Sequence, residues 1–408
     1  MASHIQSALS LSPADIEQLI ADRRDVHAHP ELGYNEQRTA ALVAERLAGQ
    51  SYEVTRGVGR TGVVGLLQGA KAASEADSAV AAETARALLY RADMDALPVR
   101  EENAIAYRSQ NDGVMHACGH DAHVAIALAV AKRMAEERDE FRGHLKFAFQ
   151  PAEEGGNGAP AMIEDGVLAS PDVTAAIGLH VWNNFPAGTV GIYAGPMMAA
   201  VDEFALVIQG RGGHGAMPQQ TVDAIVVAAQ VVTALQTIVS RNVSPLDPAV
   251  VTVGKITGGS AFNVIAGAVE MRGTVRTFSQ ETHGRIPELF ERVVRGVCEA
   301  MEASYALDYK RQTPPLVNNA EVCELVADCA ASVVGQANVI RDDSVRTMGG
   351  EDMSYFLERV PGCYFFLGTR NEARGLTHPH HSPRFDIDES ALAAGVEIMT
   401  RVIKRYLG

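Results

Sequence analysis

The chain is poor in several things whose absence narrows its role. Lys and Arg number 35 against 50 Asp and Glu over 408 residues, a formal charge of −15, so no electrostatic grip on nucleic acid or an anionic membrane is expected. A small-molecule partner is the better expectation. Its five cysteines (Cys118, Cys298, Cys323, Cys329, Cys363) are odd in number and scattered, which argues against a disulfide framework. No CxxC pair is present, arguing against a closed structural zinc site. The opening MASHIQSALSLSPADIEQLI lacks a basic segment followed by a long apolar one, and no apolar run reads as a membrane span, so a soluble, cytoplasmic protein is expected. No repeat of 20 to 50 residues stands out.

What is present is a globular composition, 47% hydrophobic, with room for two or three domains. SPADIEQLIADRRDVHAHPE reads as a helix begun at Ser12-Pro13 and ended at His29-Pro30, and EQRTAALVAERLAGQ as a second, stopping near Gly49. TGVVGLLQG, ALLYRADMD, HLKFAFQ and TAAIGLHVW read as strands alternating with helical segments, which predicts an α/β domain with a mixed, largely parallel sheet. The Ala/Glu-rich stretch 69–86 reads as an exposed insertion without assigned function. After Phe185-Pro186-Ala187-Gly188 the order becomes β-α-β-β-α-β, the pattern of a ferredoxin-like α+β domain. The expected organisation is therefore a catalytic domain in two parts, 1–186 and 313–408, interrupted by a satellite domain at 187–312.

Chemistry concentrates in a few stretches. MHACGHDAHV packs Cys118, His116, His120, Asp121 and His123 at a helix entrance. QPAEEGGNGA sets Glu153 beside Glu154 after a strand, and adjacent carboxylates gain little from proximity unless a cation or a proton offsets their repulsion. His180 ends another strand, and THPHHSPRFD adds His378, His380 and His381. A helix cap with incidental polar neighbours and a solvated acidic turn are the plain alternatives. Together, however, the donors fall at four strand ends or loops able to meet on one rim of a sheet. Thiolate, imidazole and carboxylate suit Zn²⁺ or a similar first-row ion better than Ca²⁺ or Mg²⁺, in an open site with room for two ions.

MHACGHDAHV, FQPAEEGGNGA, GLHVW, GRGGHGAMPQ, GGSAFNVI and HSPRFDIDE, in this order and spacing, resemble the M20 metallopeptidase family, most closely its aminoacylase branch of hippurate hydrolases and plant indole-acetyl amino acid hydrolases. RRDVHAHPELGYNE and RADMDALPV extend the resemblance from about residue 20 to 400. It implies two divalent ions, Zn or Mn before Co or Ni, held by Cys118, His120, Glu154, His180 and His381, with Cys118 as the bridge. It implies Glu153 as general base and Asp93 as a carboxylate orienting a ligand imidazole. Arg91 stands where many relatives carry a metal-binding histidine, a place His120 takes over in the aminoacylase branch. His214 is implied to reach the active site of a partner subunit, Asn263 to touch substrate, and Arg276 to grip its carboxylate, with a homodimer formed through the satellite domain. A strand-surface charge is the alternative for Arg276.

The implied reaction is metal-dependent hydrolysis of the amide of an N-acyl amino acid. Rival readings are a dipeptidase or carboxypeptidase using the same site, a non-catalytic metal-binding relative, and a hydrolase with Cys118 as nucleophile.

Overall fold

The computed structural model describes residues 10–71 and 86–408, so the Ala/Glu-rich stretch lies, but for its ends, outside the described residues. Helix α1 (Pro13–Ala28) begins at a reciprocal cap in which Asp15 N–H donates to Ser12 Oγ and the Ser12 N–H and hydroxyl donate to Asp15. Helix α2 (Gln37–Ala48), β1 (Glu53–Val58), β2 (Gly62–Gln68) and β3 (Ala87–Asp93) follow. Then come α3 (His120–Glu136), β4 (His144–Gln150), α4 (Gly158–Glu164), β5 (Ala175–Pro186) and β6 (Val190–Gly191). A second group comprises β7 (Ala200–Gln209), β8 (Gly213–His214), α5 (Ala224–Thr237), β9 (Ala249–Gly258), β10 (Val264–Ile265), β11 (Ala268–Thr277), α6 (Gln280–Ala300) and β12 (Ser304–Thr313). The chain ends through α7 (Ala320–Val334), β13 (Val339–Ile340), β14 (Gly362–Arg370) and α8 (Leu392–Leu407).

These elements form two compact units. The first comprises the chain up to Gly195, with Val317–Val345 and Tyr355–Gly408; the second comprises Pro196–Leu316 and Arg346–Ser354. The second unit thus starts later than the sequence pattern suggested and takes in a short segment, 346–354, from the later part of the chain.

The first unit is built on an eight-stranded sheet ordered β1-β2-β4-β3-β5-β14-β6-β13. Its four central strands run parallel, with antiparallel pairs toward both flanks. Every residue of β3 is buried, as a strand covered on both faces requires. Helix α3 is apolar almost all round and packs within the same core, which includes Val124, Ile126, Leu128, Phe147, Leu179 and Ile398.

In the second unit, β9-β11-β7-β12 form an antiparallel sheet with α5 and α6 packed against it. The order is ferredoxin-like, as the alternation of elements predicted. Its core is separate and includes Phe204, Leu206, Val231, Leu235, Met271 and Phe290. One expectation needs correcting: Ala224–Asn242, which is α5 with a terminal π-turn, is long and apolar enough by composition alone to cross a membrane. One face of it, including Val227, Val231 and Leu235, is buried in this core.

Candidate metal centre

Four donor-bearing segments of the first unit converge at the ends of its central strands. The turn before α3 carries Cys118 and His120 across Gly119, whose φ of 91° is a left-handed conformation that costs a glycine little. A Cβ there would also fall 2.4 Å from Val181 Cγ2. The segment after β4 carries Glu153 and Glu154 on a turn entered at Ala152, with φ 51°. That turn is fastened by carboxylates: Asp95 accepts the backbone N–H of Glu153 at Oδ1 and of Glu154 at Oδ2, both at 3.0 Å, and Glu36 accepts that of Ala152 at 2.9 Å. His180 sits on β5, and the His381 N–H donates to Ala117 O at 2.8 Å, tying its loop to the cysteine turn.

The donor atoms lie close together. Cys118, His120 and His180 form one group within 4.8 Å of one another; Cys118, Glu154 and His381 form a second; His120, Glu153 and Glu154 form a third. Cys118 Sγ is 3.5 Å from His180 Nε2, and His381 Nε2 is 3.2 Å from Glu154 Oε1. Cys118 thus belongs to two groups.

Ring hydrogen bonds fit these imidazoles for coordination. His120 Nδ1 lies 2.9 Å from Asp95 O and His180 Nδ1 lies 2.6 Å from Val181 O. A carbonyl can only accept, so each Nδ1 carries a proton, which leaves Nε2 as the ring nitrogen that a cation would take. His120 Nε2 is buried and has no hydrogen-bond partner among the described residues. An orphaned imidazole nitrogen beside a thiol and two carboxylates is the arrangement a divalent cation would complete.

Asp93, His120 and His123 also fall within reach of one ion, but His123 is already committed. Its Nδ1 is 2.5 Å from Asp93 Oδ1, and its Nε2 accepts the Val181 N–H at 2.9 Å. The sequence reading gave Asp93 the task of orienting a ligand imidazole. Here it is bonded to His123 and, at 2.6 Å, to Arg91, while the carbonyl of Asp95 holds the ring of His120.

Without a cation the charges are poorly matched. Burial pushes the Cys118 thiol well up, and Glu154 and Glu153 push it further. Burial works downward on His120, yet the Asp93 and Asp95 carboxylates prevail and raise it to about 10. Burial and the neighbouring His123 drive His180 well down. A bound cation reverses this logic, favouring thiolate and neutral imidazoles.

Asp95 and Glu36 were not singled out from the sequence. A signal existed for Asp95: in RADMD, Asp93 and Asp95 are two residues apart at a strand end, where alternation favours the same side. A buried charge cluster adjoins the site through Asp121, the neighbour of His120. Arg23, fully buried on α1, donates to Asp121 (2.7 Å), Asp386 (2.8 Å) and Glu389 (3.2 Å), and His27 Nδ1 lies 2.8 Å from Asp121. It links α1 and α3 to the chain just after His381.

In the second unit, β8 pairs with β10 so that His214 lies opposite Val264, and Gly215 N–H donates to Asn263 O at 2.8 Å. His214 and Asn263 are thus neighbours on one exposed ribbon. Arg276 is not brought to them within the chain. It sits near the far end of β11, half-buried, with its guanidinium on Thr274.

Comparison with known proteins agrees with this architecture. Residues 89–405 match the model of Peptidase family M20/M25/M40. An N-acetyl-L-cysteine deacetylase of Bacillus subtilis is 40% identical over 96% of this chain and 88% of its own. Thermostable carboxypeptidase 1 of Saccharolobus solfataricus is 37% identical over 92% of both chains. A crystal structure of the Bacillus subtilis protein YXEP, described as a dinuclear metal-binding peptidase of the M20 family, superposes with a TM-score of 0.82 at 31% identity, covering 97% of this chain and 99% of that one. The fold and donor set are those of a metal-dependent hydrolase. The chain belongs to peptidase family M20.

Proposed function

We propose that this enzyme hydrolyses the amide bond of N-acyl amino acids, releasing a carboxylic acid and a free amino acid. The observation that carries the reading is the meeting of Cys118, His120, Glu154, His180 and His381, with Glu153 beside them on the Glu154 turn. Those five side chains would hold two divalent ions, Zn²⁺ or Mn²⁺ before Co²⁺ or Ni²⁺. When bound, such a pair supplies Lewis acidity, easing deprotonation of a water and attack on a carbonyl carbon.

Glu153 takes the proton of the attacking water at its carboxylate and returns it to the leaving nitrogen. Asp95 holds the backbone under Glu153, so the base stays in place while the proton moves. His214 of one subunit donates to the developing oxyanion in the site of another, Asn263 beside it contacts the substrate, and Arg276 binds the substrate carboxylate through its planar fork. This requires a homodimer. The second unit supports one: of the eight large apolar side chains left exposed among the described residues, all but Val317 belong to it, and Phe262 is fully exposed.

The test is a panel of N-acyl amino acids and free dipeptides, assayed before and after chelation and with Zn²⁺, Mn²⁺ or Co²⁺ restored. Acyl conjugates should be cleaved, lost on chelation and regained with metal. Cleavage that survives chelation but disappears on thiol alkylation would instead make Cys118 a nucleophile. The similarity to a carboxypeptidase favours one alternative, the same chemistry on peptides, and preferential cleavage of free dipeptides would establish it.

A further inference from the structure

The second unit's sheet has one face under α5 and α6 and the other open. On the open face the strands align side chains in rows. One row reads Lys255, Arg272, Ala205, Asp308 across β9, β11, β7 and β12, and the next reads Thr252, Thr274, Glu203, Lys310. These residues line a hollow of about 510 Å³, bordered at one end by Arg276.

Lys255 and Arg272 are directly opposed on adjacent antiparallel strands, an arrangement that costs stability because like charges stand side by side. Neither side chain makes a hydrogen bond or ion pair among the described residues. The two acids of the hollow do not relieve them. Asp308 pairs with Lys310 at 3.2 Å, and Ala205 stands between it and Arg272; Glu203 lies in the other row, directly across from Lys310.

The opposition is produced by the backbone. In β9, Val251 faces the core and Thr252 the open side, so simple alternation would turn Lys255 inward with Val253. The register slips between Val253 and Lys255, leaving Gly254 as an extra residue that brings Lys255 to the open face across from Arg272. Four basic groups thus surround a hollow holding two acids, in a chain whose net charge is −15.

We propose that this face is an anion-binding site in which Lys255 and Arg272 grip a small oxyanion carrying two negative charges, a phosphate or a dicarboxylate, with Lys310 at the rim. Two cations held side by side match such a ligand better than a single carboxylate, and the guanidinium adds paired N–H donors. The assignment uses none of the donors of the first unit.

The test is calorimetric titration of the metal-loaded protein with inorganic phosphate and, separately, with succinate, at constant ionic strength. Arg272→Gln and Lys255→Gln are compared with wild type; both side chains are exposed, so both variants should keep their fold and melting temperature. Each should weaken binding by about tenfold or more. Loss for both anions supports a general oxyanion site, loss for phosphate alone a phosphate-ester site, and loss for succinate alone a dicarboxylate site. Phosphate held only at the first unit's metals would bind both variants as it binds wild type, and that result overturns the proposal. So does a wild type that binds neither anion.

Discussion

At the scale of single residues, Glu153 and Gly119 carry the sharpest expectations. Glu153→Gln should reduce turnover by roughly 10²–10⁴-fold while metal content, read by elemental analysis, stays at the wild-type level, because the change removes the proposed base and leaves the five proposed donors intact. Gly119→Ala should instead reduce metal retention and lower the melting temperature of the metal-free protein, at a cost of about 1–2 kcal/mol. Its φ is positive, and the new methyl would collide with Val181. The donors themselves were legible because thiol, imidazole and paired carboxylate are rare side by side and fell at strand ends. Asp95 was only faintly so: its spacing from Asp93 hints at a shared side, but nothing local says what its carboxylate holds. Its role emerges only when the Glu153–Glu154 turn, about sixty positions later, folds back onto its two oxygens.

Elements are joined by buried charges that pattern reading does not reach. Helix α8 is fastened to α3 through Glu397, which accepts from Arg133 at 2.7 Å and from Ser10 Oγ at 2.8 Å, and to its own next turn through Arg401. Burial alone would push the Glu397 carboxyl up; the hydrogen bonds from Arg133 and Ser10 and the Arg133 charge outweigh it and leave it lowered. A depressed native value means the stabilisation is fully present above the ordinary glutamate range and is lost as pH falls through the native value. Glu397→Gln should therefore lower the melting temperature at neutral pH, by the equivalent of about 2 kcal/mol. The gap from wild type should close as melts are repeated at progressively more acidic pH below that range. Secondary structure was readable from periodicity and caps, since Ser12 and Asp15 act within one turn. The Arg23 cluster was not, because its partners lie 98, 363 and 366 residues away and nothing local marks them. The same limit applies to α5: as sequence it is simply apolar, and only packing shows that one face of it is buried.

For the whole molecule, the proposed homodimer predicts twice the 43.5 kDa chain mass in light scattering at micromolar concentration. Phe262→Asp should shift that mass toward the monomer and reduce turnover together, because the site would then lose the partner's His214. A fully active monomer would remove His214 from the mechanism. The two-unit plan was visible in the change from parallel to antiparallel patterning, whereas the place of 346–354 was not, since nothing in RTMGGEDMS tells which core it joins.

The sheet of the first unit also fixes an order of events during synthesis. Strand β5 takes its parallel neighbour β14 from 362–370, so that sheet stays incomplete until about residue 370 has left the ribosome. All four strands of the second unit's sheet lie between Ala200 and Thr313 and emerge together well before then. The inserted unit thus has the head start, while β5 waits with an unpaired edge for its partner, a period in which a chaperone or misassembly with another nascent chain competes for the exposed strand.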